Sequence, residues 1–249
     1  MANMSETKAK EVLLMLSGGR DSFLSACCLI EQGYHVRMIT FDNGCLSNVS
    51  VVEQVAQRIV DKYGEKRATF AGVHSVAGYL YRFQKDYLYR PISESCQLYP
   101  NLRPAQLPCL SCRTAMYVEA IAYCKNHNIG YISEGARRTQ KFFVELPEMI
   151  QRYKQLVENN GIELLLPVYA LESDWERKLA LADRGYIPKT FEPQCWLGCP
   201  LGNDLSDNEV ESLAIYFDKN IAPVLQSYID VRTNVTAIVG DCNYNEILR

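Results

Sequence analysis

Long apolar runs are scarce in this chain. No run reaches the roughly 18 consecutive apolar residues of a spanning helix. Residues 1–10 are polar, without the apolar core of a signal peptide. A cytoplasmic protein with no membrane partner is expected. An excess of positive charge is also missing: 26 Lys and Arg against 29 Asp and Glu leave a formal net charge of −3. That excludes a broadly basic nucleic-acid-binding face, though not a local patch. There is no internal repeat and no low-complexity tract. Two nucleotide-binding signatures are missing too. The first glycine loop carries no Walker lysine, and there is no Gly-x-Gly-x-x-Gly fingerprint.

What is present is an ordinary globular balance, 48% hydrophobic and 22% charged over 249 residues. That suits one large α/β domain, or a nucleotide domain with a smaller appendage. Ten cysteines in a chain read as cytoplasmic point to metal binding or redox chemistry rather than a disulfide framework.

The organising stretch is Val12–Ser22. Five apolar residues, Val12–Leu16, read as a buried strand. Ser17-Gly18-Gly19-Arg20-Asp21-Ser22 follows, and then the apolar helical run from Phe23 to Ile30. Glycines allow positive φ and leave no Cβ in the way of an incoming oxyanion. Backbone N–H groups and the positive end of the helix then face one spot, which makes an anion site. Ser17 and Ser22 add hydroxyls, and Arg20 adds charge. Asp21 reads either as a Mg²⁺ contact or as the cap of the helix.

This loop resembles the Ser-Gly-Gly-x-Asp-Ser signature of the PP-loop ATP pyrophosphatases, the adenine nucleotide alpha-hydrolase-like family. The resemblance implies an ATP site with Mg²⁺ and cleavage between the α- and β-phosphates. Pyrophosphate leaves, and AMP is left on a substrate.

The remaining pattern fits such a fold. Strands are expected at Val36–Phe41, 68–73, 130–134 and 163–168, and helices at Ser50–Gly64, Arg113–Lys125, 148–158 and 174–185. Capping boxes begin at Ser50, Ser173 and Ser206. The expectation is a doubly wound parallel five-stranded sheet, order 3-2-1-4-5, with a helical C-terminal extension. The ATP-binding domain is expected over 1–204 and the extension over 205–249. Within the first, 79–108 reads as a long inserted loop rich in Tyr, Arg and Pro, suited to base stacking or subunit contact. Val235–Val239 reads as a late edge strand. Leu205–Asp230 suits subunit contacts, and a homodimer is expected.

In this fold class the carboxyl ends of the strands face the ligand. Phe41 and Asp42 are therefore expected at the nucleotide, with Gly135, Arg137 and Arg138 across the crevice. The family often carries a Gly-His-x-x-Asp-like motif after the fourth strand. Gly135-Ala136-Arg137-Arg138 departs from it, and either arginine would suit an α-phosphate or an acidic substrate.

Cys109-Leu110-Ser111-Cys112 sits at a helix N-terminus, where thiolates are favoured. Cys195 and Cys199 should emerge at the same edge of the sheet. Such a set suits either four-thiolate Zn²⁺ or a [4Fe–4S] cluster held by three cysteines. Cys27, Cys28 and Cys124 read as core thiols. Cys45, past the second strand, is set at the crevice edge.

The arrangement resembles the tRNA-thiolating PP-loop enzymes, in which a middle Cys-x-x-Cys and a later cysteine meet near the adenylated base. Carried over by position, Cys109 and Cys112 match the pair, and Cys195 or Cys199 the later residue. Asp21, Arg137, Arg138, Cys109 and Cys195 are then the candidate catalytic groups. The resemblance implies a nucleobase or small-molecule substrate, including tRNA, activated for sulfur transfer. Two alternatives stay open: 7-cyano-7-deazaguanine synthase-like chemistry with structural zinc, and a non-catalytic nucleotide-binding regulator. The family's lysine after Pro167 is replaced here by Asp174 or Trp175.

Overall fold

The computed structural model describes residues 10–84, 98–186, 193–196 and 204–239. Its centre is a five-stranded parallel sheet, and the reason lies in strand β1, Glu11–Met15. Val12, Leu13 and Leu14 are wholly buried. Side chains alternate across a strand, so β1 serves two cores. Leu13 and Met15 enter one, Val12 and Leu14 the other. A strand apolar on both faces belongs in the middle of a sheet covered on both sides.

β1 pairs with β2 (His35–Asp42) on one side and β5 (Tyr131–Glu134) on the other. β4 (Ala68–Ser75) flanks β2, and β6 (Glu163–Leu165) flanks β5. The order is β4-β2-β1-β5-β6. β3 (Leu46–Ser47) stands outside the sheet, in a two-stranded antiparallel ribbon with β7 (Gln194–Cys195). The five long-sheet strands thus have the expected order, 3-2-1-4-5. Strand five is shorter than the apolar run suggests, because the chain turns at Leu166, whose carbonyl accepts from Tyr169 N.

Helices α1 (Arg20–Glu31), α2 (Ser50–Tyr63) and α6 (Asp174–Asp183) cover one face. α4 (Leu107–His127) and α5 (Pro147–Glu158) cover the other. α3 (Ala77–Gln84) precedes α4, and α7 (Asp207–Tyr216) and α8 (Ala222–Val239) close the second layer. No helix among the described residues is long and apolar enough to cross a membrane.

Capping boxes form at Ser173 and Ser206, where each serine accepts from the backbone of the glutamate three residues on. The one expected at Ser50 does not. Ser50 is already inside α2, and Asn48 at φ 57° makes the turn, with Val51 N donating to Asn48 O. The stretch 79–108 is not one loop: Tyr79 begins within α3, and α4 starts at Leu107. Tyr79 packs edge-on to Tyr228, and Tyr99 to Tyr216. Its Lys85, Tyr87, Tyr89, Arg90 and Pro91 lie outside the described residues.

Val235–Val239 is the end of α8, not a strand. β-Branched residues favour strands only weakly, and Leu225 and Ile229, buried against the same core as α4, carry the helix through them. The stretch Leu205–Asp230, expected to suit subunit contacts, also serves the chain's own core. Leu213, Tyr216, Phe217, Ile221, Leu225 and Ile229 are buried in the chain's own core. A π-helical turn, Phe217–Ile221, joins α7 to α8 and buries both of its ends.

A buried polar lock fastens α8. Arg232 donates twice to Glu119 of α4, at 2.6 and 2.8 Å, and His74 Nδ1 of β4 stands 3.4 Å from the same carboxylate. Burial pushes Glu119 up, but the bonds from His74 and Arg232 outweigh it and hold the group below its usual range. A carboxylate so depressed stabilises the fold fully above its unfolded pKa, and loses that contribution as pH falls through the folded value. Glu119→Ala is expected to cost about 3–5 kcal/mol at pH 7, the usual cost of stripping a buried pair. In urea denaturation, its deficit against the unsubstituted chain should shrink steadily below about pH 4.5.

Candidate functional site

The loop Ser17–Ser22 stands at the carboxyl end of β1 and opens α1. Gly18 takes φ 80° and is wedged, since a Cβ there would lie 3.0 Å from Val52 Cγ2 and 3.3 Å from Pro193 Cδ. Gly19 is the cap residue of α1, with no side-chain bond closing the helix. Asp21 is therefore not the cap. The two serines knit the loop to itself: Ser22 Oγ donates to Gly19 O at 3.0 Å, and Gly19 N donates to Ser17 Oγ at 3.2 Å. Their hydroxyls, read in the sequence as donors for an anion, hold the loop's own shape.

Asp21 lies in the first turn of α1, where two guanidinium groups converge. Arg177 Nη1 of α6 donates to both carboxylate oxygens, at 3.1 and 3.0 Å. Arg137 Nε stands 3.2 Å from Asp21 Oδ2, and Gln140 donates to the same oxygen at 3.1 Å. Both arginines are buried, and among the described residues Arg177 Nε has no hydrogen-bond partner. Buried donors without partners are costly, so this corner suits a further anion. Arg138, the other candidate, is on the surface, 3.8 Å from Glu172. Gly135 packs directly on α1: a Cβ there would lie 2.5 Å from Ser22 N.

Beside the loop opens a cavity of about 330 Å³. Ser17, Phe41, Asn43, Cys109, Cys112 and Cys195 line it. Three of the four expected cysteines thus share one space with the glycine loop; Cys199 lies outside the described residues. Asn43 Nδ2 donates to Cys112 Sγ at 3.2 Å and Cys195 Sγ at 3.4 Å. Burial pushes the Cys112 thiol up to about 11, against the pull of the Asn43 bond. Asp42 does not reach into this space by a bond of its own; its Oδ1 accepts from Gly44 N at 2.8 Å and shapes the turn. Cys27 and Cys124 are core thiols, as read from their helices, and Cys28 is half-buried.

The far wall is an ionic chain. Arg113, next to Cys112, pairs with Glu134 and, at 3.2 Å, with Glu145. Tyr117 donates to Glu134 at 2.7 Å. Burial raises Glu145 to about 7, helped by the nearby Glu134 and opposed by Arg113. A carboxyl that titrates near neutrality in a cavity wall suits acid–base work.

Sequence reasoning missed Arg177, Gln140, the Arg113–Glu134–Glu145 chain and the bonds from Asn43 to two thiols. Only Arg177 left a trace. It falls one helical turn after Asp174, where the resemblance looked for a lysine, and it pairs with Asp174.

A nucleotide loop at the end of the central parallel strand, with no lysine to serve the phosphates, separates PP-loop ATP pyrophosphatases from Walker-type proteins, and this chain falls with the former. Residues 7–140 match the family model described as thiamine biosynthesis protein (ThiI). That is more than half of the chain, which belongs to the ThiI family.

A comparison with curated proteins finds no match. Among solved structures, the chain is similar to a 4-thiouridine synthetase–RNA complex with bound ATP. The two are 14% identical with a TM-score of 0.63, over 90% of this chain and 53% of that one. At that identity the likeness shows the fold, and this chain spans about half the length of its counterpart. It also aligns with a predicted tRNA methyltransferase subunit from Methanocaldococcus jannaschii. There the identity is 18% and the TM-score 0.43, over 75% and 96% of the two chains. The NMN synthetase from Francisella tularensis gives 11% and 0.47, over 92% and 85%. Neither of these two overlays is close enough to bear on function.

Proposed function

We propose that the chain adenylates a carbonyl oxygen of a nucleobase, tRNA being the favoured carrier, and then replaces that oxygen with sulfur. The carrying observation is the single cavity shared by Ser17 of the nucleotide loop and three thiols, Cys109, Cys112 and Cys195. Family membership supports the ATP half. The sulfur half draws on the thiols and on the likeness to a 4-thiouridine synthetase.

The chemistry balances. The carbonyl oxygen attacks the α-phosphorus, the bond to the β-phosphate oxygen breaks, and pyrophosphate leaves. A sulfur nucleophile then adds at the same carbon, and the C–O bond breaks to release AMP. The buried arginines, Arg137 and Arg177, would hold phosphate oxygens, and Asp21 the accompanying Mg²⁺. Cationic donors fixed in place stabilise charge that develops at the phosphorus. Glu145, in the wall of the same cavity, would exchange a proton there.

Cys109, Cys112 and Cys195 are soft donors in one cavity, the kind that a thiolate-bound Zn²⁺ or an iron–sulfur cluster takes. Among the described residues no three Cys, His, Asp or Glu side chains are already gathered around one metal position. For sulfur transfer the cluster is the more useful group, since three thiolates would carry it with one iron open.

The test is pyrophosphate release from ATP, with and without tRNA transcripts and a sulfide source, followed by nucleoside mass spectrometry. Release that depends on tRNA, with a thiolated base as product, is expected. Cys195→Ala should keep pyrophosphate release within about threefold and lower thiolation by at least about 100-fold, on the scale of a lost nucleophile. ATP binding without release under every condition would leave the regulatory alternative. Release with an amide or nitrile product would favour the deazaguanine-like one.

A further inference from the structure

We infer that Asn43 is the positioning residue of the sulfur centre, joining Cys112 of α4 to Cys195 of the β3–β7 ribbon. Asn43 follows directly on β2 and is 4% exposed. A carboxamide offers two N–H donors on one side and a carbonyl oxygen on the other. The oxygen is taken: Asn43 Oδ1 accepts from Cys45 N at 2.8 Å. That bond fixes which way the amide faces. The nitrogen then has two sulfurs within reach, Cys112 Sγ at 3.2 Å and Cys195 Sγ at 3.4 Å.

Two donors thus meet two sulfurs. α4 and the ribbon are separate elements, and among the described residues Cys195 is paired through a ribbon two residues long on each strand. Cys195 faces Leu46 in that ribbon, and both line the cavity. The neighbouring pair, Cys45 and Trp196, is joined by Trp196 N donating to Cys45 O at 2.9 Å. The same turn that orients Asn43 therefore also anchors the strand that carries Cys195. One buried amide brings together two thiols from separate elements. What it prepares is a site for one thiophilic centre held by both sulfurs, a soft metal or a bound sulfur species.

The inference rests on the sulfur-transfer reading for its purpose, and the test keeps the two apart. The probe is phenylarsine oxide on the full chain. Two thiols form two As–S bonds, and the arsenic-bound oxygen leaves as water with both thiol protons, so no oxidant is needed. Capture is read by titration, and the bridged sulfurs by alkylation and peptide mass spectrometry. The unsubstituted chain should take one equivalent that shields Cys112 and Cys195 together. Asn43→Asp keeps the acceptor for Cys45 N and removes both donors. It should weaken capture by about 10–100-fold, the range for loss of a residue that orients ligands, while unfolding cooperatively near the original midpoint. Asn43→Ser, too short to reach the sulfurs, should behave alike.

Capture by Asn43→Asp at the original affinity would overturn the inference. So would a bridge between Cys109 and Cys112 that leaves Cys195 open to alkylation, or loss of cooperative unfolding in both variants. Capture as expected in a chain that releases no pyrophosphate would overturn the adenylation reading alone.

Discussion

Asp21→Ala is expected to lose about 3–5 kcal/mol of stability, because it leaves buried cations without their shared counter-charge. Arg137 and Arg177 are 7% and 4% exposed, and Asp21 lies against both. The loss should be partly made good by ligand. Phosphate oxygens offer the negative charge that the variant lacks, so ATP without Mg²⁺ should raise its urea midpoint more than that of the unsubstituted chain. Turnover is a separate matter. Arg177→Met keeps the length of the side chain and removes its charge. It should lower pyrophosphate release by about 10²–10³-fold, the scale for one lost donor to developing charge. Equal gains from ATP in Asp21→Ala and the unsubstituted chain would mean that nucleotide phosphates do not bind at these arginines.

The second large effect is expected from a single methyl group. In Gly135→Ala the new Cβ would lie 2.5 Å from Ser22 N, 2.8 Å from Asp21 C and 2.9 Å from Ser22 Cα. All three are backbone atoms of the first turn of α1, so no side chain can swing away. Either β5 or α1 must shift, and α1 carries the nucleotide loop. Overpacking of this kind costs about 1–3 kcal/mol, and the displaced helix end should lower ATP affinity by about tenfold or more. Gly130→Ala is the control, since a Cβ at Gly130 meets nothing within 4 Å. Calorimetric titration with a non-hydrolysable ATP analogue reads both. Unchanged affinity in Gly135→Ala would show that the first turn of α1 is not where phosphates are held.

The sheet was legible because its signals are local. Val12–Leu16 is apolar on both faces, and the capping boxes at Ser173 and Ser206 bond within four residues. The nucleotide loop was legible for the same reason: its glycines, serines and acid are contiguous. Three of the expected thiols do meet at the cavity, since their segments end at one edge of the sheet. Ser50 shows the limit of a local signal, where a left-handed Asn48 two residues earlier starts the helix instead. Val235–Val239 shows another, because long-range packing of α8 overrides a strand-like composition. The bonds of Arg177 and Asn43 were hidden for a deeper reason. Their partners lie 156 residues away in one case, and 69 and 152 in the other, and no spacing rule spans such distances.

That separation also sets where the site should give way first. Asn43 and Cys112 are held by the sheet and α4, whereas among the described residues Cys195 is paired through a ribbon two residues long on each strand. Bonds that close a long connection offset its entropy with few contacts. Local opening is therefore expected on the Cys195 side of the cavity before the sheet loosens, and amide exchange at Trp196, whose N–H donates to Cys45 O, reads it.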